Sequence, residues 1–144
     1  MALLHRNSSR GTRSMRAIAH LREKFTHDVK AGDHSIVSDE PAEAGGDDLG
    51  PSPQELLAAA LASCTAVTMK MYAERKGWDL TGLAVDVRYT PAERGCPTRF
   101  ELVLQMPAHL DEQQIERLQA IGAKCPVHRT LEGEVAFDER VELA

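Results

Sequence analysis

The sequence predicts an α+β fold. Three observations predict it: two stretches of alternating residues that each turn straight back, a long uncharged helical stretch between them, and further helical patterning after the second pair. Strands that return through tight turns make antiparallel hairpins, whereas alternating βαβ units would need a helix after every strand.

The first pair is read in KFTHDVKAGDHSIVSDE, where Phe25, His27 and Val29 alternate with polar neighbours, AGD turns the chain, and the pattern resumes at Ile36. PAEAGGDDLGPSP follows, rich in Gly, Pro and Asp, and is a loop. The long helix starts there. Ser52 is the expected N-cap, Pro53 the first helical residue, and Glu55 the acidic partner of a Ser-x-x-Glu capping box. Gly77, after Arg75 and Lys76, is its expected stop. The second hairpin places Leu83, Val85, Val87 and Tyr89 on one face, turns through TPAERGCP, and places Phe100, Leu102, Leu104 and Met106 on the returning face. Asp111, with Gln114 three residues on, caps a helix expected from about Glu112 to Ala123. CPVHRTLEG reads as a short helix with Cys125 at its cap and Pro126 first, and EVAFDERVEL as a closing strand.

A chain of 144 residues, 42% of them apolar, is long enough for one domain with its own core. Residues 17–144 are read as that single domain. Residues 1–16 carry four arginines, several serines and no acid, and are read as a flexible or alternative-start extension, with Met15 the second candidate start. A transit peptide shares that composition, but no amphipathic apolar face accompanies it here, and no secretory h-region is present. Aromatic residues make up 4% of the chain and its formal charge is −5, which argues against a nucleic-acid partner. The longest uncharged stretch, Leu56 to Met69, is short for a bilayer span and is read as a buried helix, so no membrane partner is expected. Three widely spaced cysteines fit reduced thiols in the cytoplasm better than a disulfide framework.

Those cysteines are the candidate chemistry. Cys64 lies mid-helix on a face shared with Leu57, Ala60, Leu61, Val67, Thr68 and Met71. A free cysteine in such a place is ordinarily a small buried hydrophobe, and burial holds it inert unless a donor or cation reaches it. Cys125, at a helix cap beside Lys124, His128 and Arg129, has local support for a thiolate, and a purely structural cap fits it equally well. Cys96, in a Gly-Cys-Pro turn, has no helix and no base near it in sequence. Cys125 and His128 have the spacing of half a zinc site but lack two further ligands, and His27 and His34 read as solvated or sheet-edge residues. Asp39, Glu40, Asp47 and Asp48 flank a glycine-rich loop without the ligand spacing of a calcium site. No metal and no cofactor is expected.

Taken together, DEPAEAGGDDLGPSPQELLAAALASCTAVTM and KCPVHRTLEG resemble the OsmC/Ohr family of thiol-dependent hydroperoxide reductases, with the match running from about Phe25 to the C-terminus. The resemblance implies an intertwined homodimer in which sheets from both chains wrap two long central helices. It implies that Cys64 is the peroxidatic cysteine and that Cys125 resolves its sulfenic acid before over-oxidation. It further implies organic or fatty-acid hydroperoxide substrates, seated here among Leu57, Leu61 and Met71, and a dithiol reductant.

Two departures stand out. Where the family places a glutamate ten residues before the peroxidatic cysteine this chain has Gln54, and it has no arginine between Glu23 and Arg75. In the family that Glu–Arg pair orients and activates the thiolate; Lys30, His34 and Arg129 are the substitute cations the sequence offers. The GPSPQELLAAALASCTAVTM form is similar to the broad OsmC-like branch. The sequence therefore reads as a cytoplasmic antioxidant and stress-response peroxidase working through Cys64 and Cys125. The alternative is a non-catalytic protein that binds a small lipophilic ligand in the dimer cavity; a third reading is a zinc-bound structural domain on Cys125 and His128.

Overall fold

The computed structural model describes residues 13–143, so most of the expected N-terminal extension lies outside the described residues. It is an α+β chain in two compact units, one ending at Pro53 and the other running from Gln54.

The first unit is an antiparallel sheet in the order β1 (Ala17–Glu23), β2 (Thr26–Ala31), β3 (His34–Ser38). The expected hairpin is β2 and β3, with Val29 opposite Ile36 and Ala31 opposite His34. The sequence reading did not assign β1, which pairs with β2 from Ala17 opposite Ala31 to Glu23 opposite Thr26. All seven β1 residues are exposed, so no buried face disciplines its pattern into the apolar–polar alternation that marks a strand.

The loop after β3 is organised by Asp39, which is 1% exposed. Its carboxylate accepts hydrogen bonds from the Thr26 hydroxyl at 2.9 Å and from the N–H groups of Glu40 and Leu49 at 2.8 and 3.2 Å. A buried carboxylate needs that many donors to be tolerated. The acidic cluster noted in the sequence thus contains one anion that the loop folds around. Gly46 is required where the loop doubles back, because a Cβ there would run into the Glu40 carbonyl.

The second unit is built on α1 (Pro53–Lys76). Its start and stop fall where the sequence placed them. Gly77, at φ 72°, takes the left-handed position, with Trp78 N–H donating to the Ala73 carbonyl and Gly77 N–H to that of Glu74. Leu61, Thr65, Met69 and Ala73, four residues apart, are its buried residues. Met69 and Ala73 join Leu80, Leu110 and Leu118 in the core of the unit. At 24 residues α1 is, by length and composition, long and apolar enough to cross a membrane, which the shorter uncharged stretch in the sequence did not suggest.

The second hairpin, β4 (Ala84–Thr90) and β5 (Arg99–Gln105), has the expected faces: Val85 opposes Leu104, Val87 opposes Leu102, and Tyr89 stacks on Phe100. Helix α2 (Glu112–Gly122) carries the predicted capping box, Gln114 N–H to Asp111 Oδ1 at 2.8 Å and Asp111 N–H to Gln114 Oε1 at 2.9 Å. Helix α3 (Pro126–Glu132) follows at once. The closing strand is not formed: residues 134–143 are irregular and exposed. Their alternating Val135, Phe137, Val141 and Leu143 have the right period but, among the described residues, no neighbouring strand to supply ladder bonds.

Candidate active site

The start of α3 gathers the two cysteines that the sequence singled out. Cys125 is its N-cap and is fully buried; its Sγ accepts from His128 N–H at 3.3 Å. Pro126 occupies the first helical position, where a missing N–H costs nothing. The next free amide in that turn, Val127 N–H, points at Cys64 Sγ from 3.5 Å. Two successive N–H groups of one helix turn are therefore shared between two sulfurs from distant parts of the sequence.

Cys64 is half-buried, and its sulfur and that of Cys125 are served by consecutive N–H groups of the α3 first turn. Burial pushes the Cys64 thiol above the ordinary range. Val127 N–H pulls it down and the neighbouring Cys125 raises it further; the net displacement is upward. The donor directed at its sulfur is the Val127 N–H, which is not a cation.

The other predicted residues do not share one accessible face. Leu57 is half-buried, Leu61 is 2% exposed and belongs to the interior, and Met71 is 61% exposed. Gln54 is exposed in the first turn of α1, and Lys124 and Arg129 are exposed around Cys125. Cys96 is exposed in its turn, where Glu93 and Cys96 exchange backbone hydrogen bonds at 3.0 and 2.9 Å. His128 Nε2 lies 2.8 Å from Glu132 Oε1, while its Nδ1 is buried without a hydrogen-bond partner. Among the described residues, no three His, Cys, Asp or Glu side chains gather as a metal site.

Two features were not found from sequence. One is a cleft of about 470 Å³ whose lining includes Thr65, Leu102, Leu104, Met106, Ile115 and His128. The inward faces of β5 and α2 were legible separately; that they stand apart beside α3 was not. The other is Thr65, 1% exposed, whose Oγ1 lies 3.7 Å from Cys125 Sγ.

The OsmC-like protein family matches residues 45–140, a span that contains both cysteines and all three helices. The chain belongs to the OsmC-like protein family. Solved structures agree with this OsmC-like assignment at the level of the fold. The OsmC-like protein of Mycoplasma pneumoniae matches with a TM-score of 0.72 at 21% identity, over 84% of this chain and 89% of that one. An organic hydroperoxide resistance protein OsmC of Legionella pneumophila matches with a TM-score of 0.63 at 21% identity, over 85% and 92%. The organic hydroperoxide resistance protein OhrB of Bacillus subtilis gives 0.59 at 20% identity, over 83% and 91%. A comparison with curated protein sequences found no match.

Proposed function

We propose that this OsmC-like chain reduces organic hydroperoxides with Cys64 as the attacking thiol and Cys125 as the resolving thiol. The observation that carries the reading is the shared first turn of α3, where Val127 N–H serves Cys64 Sγ and His128 N–H serves Cys125 Sγ. The Cys64 thiolate attacks the distal peroxide oxygen, the O–O bond breaks, the alcohol leaves with a proton, and Cys64 keeps one oxygen as sulfenic acid. Cys125 thiolate then attacks that sulfur; the S–S bond forms, the S–O bond breaks, and the hydroxide leaves as water. An external dithiol restores both thiols. The hydroperoxide-resistance names of two structural relatives support the substrate class.

The assignment of the attacking role to Cys64 rests on access. Cys125 is fully buried, whereas Cys64 is reachable, and a bulky hydroperoxide must touch the first sulfur. Intact-mass measurement after one equivalent of an organic hydroperoxide tests the reading: loss of two hydrogens, with the bridge mapped to Cys64 and Cys125, is expected. A chain whose mass does not change, with the hydroperoxide unconsumed in the presence of dithiol, would refute it.

The second reading, a binder of a small lipophilic ligand, is favoured by two observations: the largely apolar cleft and the upward displacement of the Cys64 thiol. It predicts binding of a long-chain alcohol or fatty acid that survives replacement of both cysteines by serine.

A further inference from the structure

A threonine inside a helix ordinarily turns its hydroxyl back to the carbonyl four residues earlier. Thr68 does so, donating to the Cys64 carbonyl at 2.8 Å. Thr65 does not follow that habit. Its Oγ1 is directed across to α3, 3.7 Å from Cys125 Sγ, and both groups are buried, at 1% and 0% exposure. The conformation is fixed from the other side by α2. A Cβ at Gly122 would come within 3.2 Å of Thr65 Cγ2 and 3.1 Å of Met69 Sδ, so α2 packs close to the Thr65 methyl only because it has a glycine there. A β-branched side chain has few χ1 states, and with the methyl held against Gly122 the hydroxyl is held toward the sulfur.

We propose that Thr65 is a positioning residue for the redox pair, holding the Cys125 sulfur in place and donating its O–H to that sulfur whenever it carries negative charge. This inference rests on the redox reading of Cys64 and Cys125 given above. With His128 N–H on the same sulfur, a Cys125 thiolate has two donors at a fully buried position, where a sulfur anion without donors is costly. The charge appears twice in the cycle. It is on Cys125 as it attacks the Cys64 sulfenic acid, and again when an external thiolate attacks Cys64 Sγ. In that second step the new S–S bond forms to the reductant, the Cys64–Cys125 bond breaks, and Cys125 leaves with the electron pair. In this role Thr65 acts through Cys125.

Two substitutions separate the hydroxyl from the shape. Thr65→Val keeps the branched outline against Gly122 and removes the O–H; Thr65→Ser keeps the O–H and removes the methyl. Both are made in a Cys96→Ser chain, so that two thiols remain. In the first arm, an organic hydroperoxide is added and the Cys64 sulfenic acid is trapped with a 1,3-diketone in competition with disulfide formation. In the second arm, the disulfide is formed with diamide and its reduction by dithiothreitol is timed. Loss of one hydrogen bond to an anionic sulfur should slow both steps about three- to ten-fold in Thr65→Val. Thr65→Ser should restore most of each rate. Wild-type rates in Thr65→Val, or a serine variant as slow as the valine one, would overturn the proposal. If wild type forms no sulfenic acid with hydroperoxide, the hydroperoxide reading falls while the dithiothreitol arm still decides the role of Thr65. If diamide does not join Cys64 to Cys125, both fall.

Discussion

Val127 N–H donates to the sulfur of Cys64 at 3.5 Å, bringing the middle of α1 to the first turn of α3. Cys125 caps that same turn, so the two sulfurs are neighbours at one helix start although they differ in access. That difference sets an order of reactivity. With a small alkylating agent at neutral pH, exposed Cys96 should label first, half-buried Cys64 next and buried Cys125 last, read by peptide mass against time. Cys125 labelling ahead of Cys64 would reverse the assignment of roles.

Because burial, opposed by Val127 and reinforced by Cys125, leaves the Cys64 thiol above its ordinary value, its thiolate is a small fraction at neutral pH. A reactant present only as thiolate gains about ten-fold per pH unit below its pKa. The rate of sulfenic acid formation on Cys64 in a Cys125→Ser chain should therefore climb without a plateau from about pH 6 to pH 8.5, the ordinary thiol value. Stopped-flow rates under excess hydroperoxide measure this directly. A plateau near neutrality would mean that a cation reaches Cys64 in the working assembly.

Asp39 gives a second pH dependence, from a pKa displaced in the opposite direction. Burial raises its pKa, but the Thr26 hydroxyl and the N–H groups of Glu40, Leu49 and Asp47 together outweigh it, and the folded value lies below the ordinary one. A depressed carboxyl stabilises the fold above its unfolded pKa of about 3.9, and that contribution is lost as pH falls through the folded value. Asp39→Asn should lower the melting temperature at pH 7 and reduce the loss of stability on acidification. Thermal melts at neutral and acid pH check both. Equal acid sensitivity in the variant would show that the anion is dispensable.

The core of the second unit is small enough for one residue to matter. Leu118 is fully buried on α2, in the cluster with Met69, Ala73, Leu80 and Leu110. Leu118→Ala should cost about 2–5 kcal/mol, the range for emptying a leucine site in a packed interior. Urea unfolding with an unchanged slope would give the value; a cost under about 1 kcal/mol would mean that the site collapses around the loss.

What the sequence disclosed was what short-range chemistry decides. Pro53 and Gly77 bound α1 because one lacks a donor and the other takes positive φ, and Asp111 and Gln114 cap α2 through bonds between near neighbours. The facing of Val85 and Leu104 was legible because one side of that hairpin is half-buried. Strand β1 was not legible because it is exposed throughout, and the alternation in residues 134–143 misled because a strand also needs a partner. In the site, the caps were legible residue by residue. The aim of Thr65 at Cys125 was not, since it depends on Gly122 of a third element and leaves no local pattern.

The last prediction is that the chain is a dimer. Along the apolar window of α1 only 22% is buried within this chain, and Val67 and Met71 remain 50% and 61% exposed. Residues 134–143 add Val135, Phe137, Val141 and Leu143, each more than half exposed, in a segment with strand periodicity and no strand pairing. A soluble monomer rarely leaves that much apolar side-chain surface open to water. Two copies covering these surfaces should bury more than about 2,000 Å² in total, the range of obligate dimers, and give the unpaired segment a sheet edge to join. Sedimentation at micromolar protein should therefore show a dimer. Val67→Glu, which sets a charge on the exposed face of α1, should shift it to monomer or aggregate, and deletion of residues 134–143 should weaken it. A wild-type chain that sediments as a stable folded monomer would contradict the assembly and leave the exposed face of α1 for a different partner.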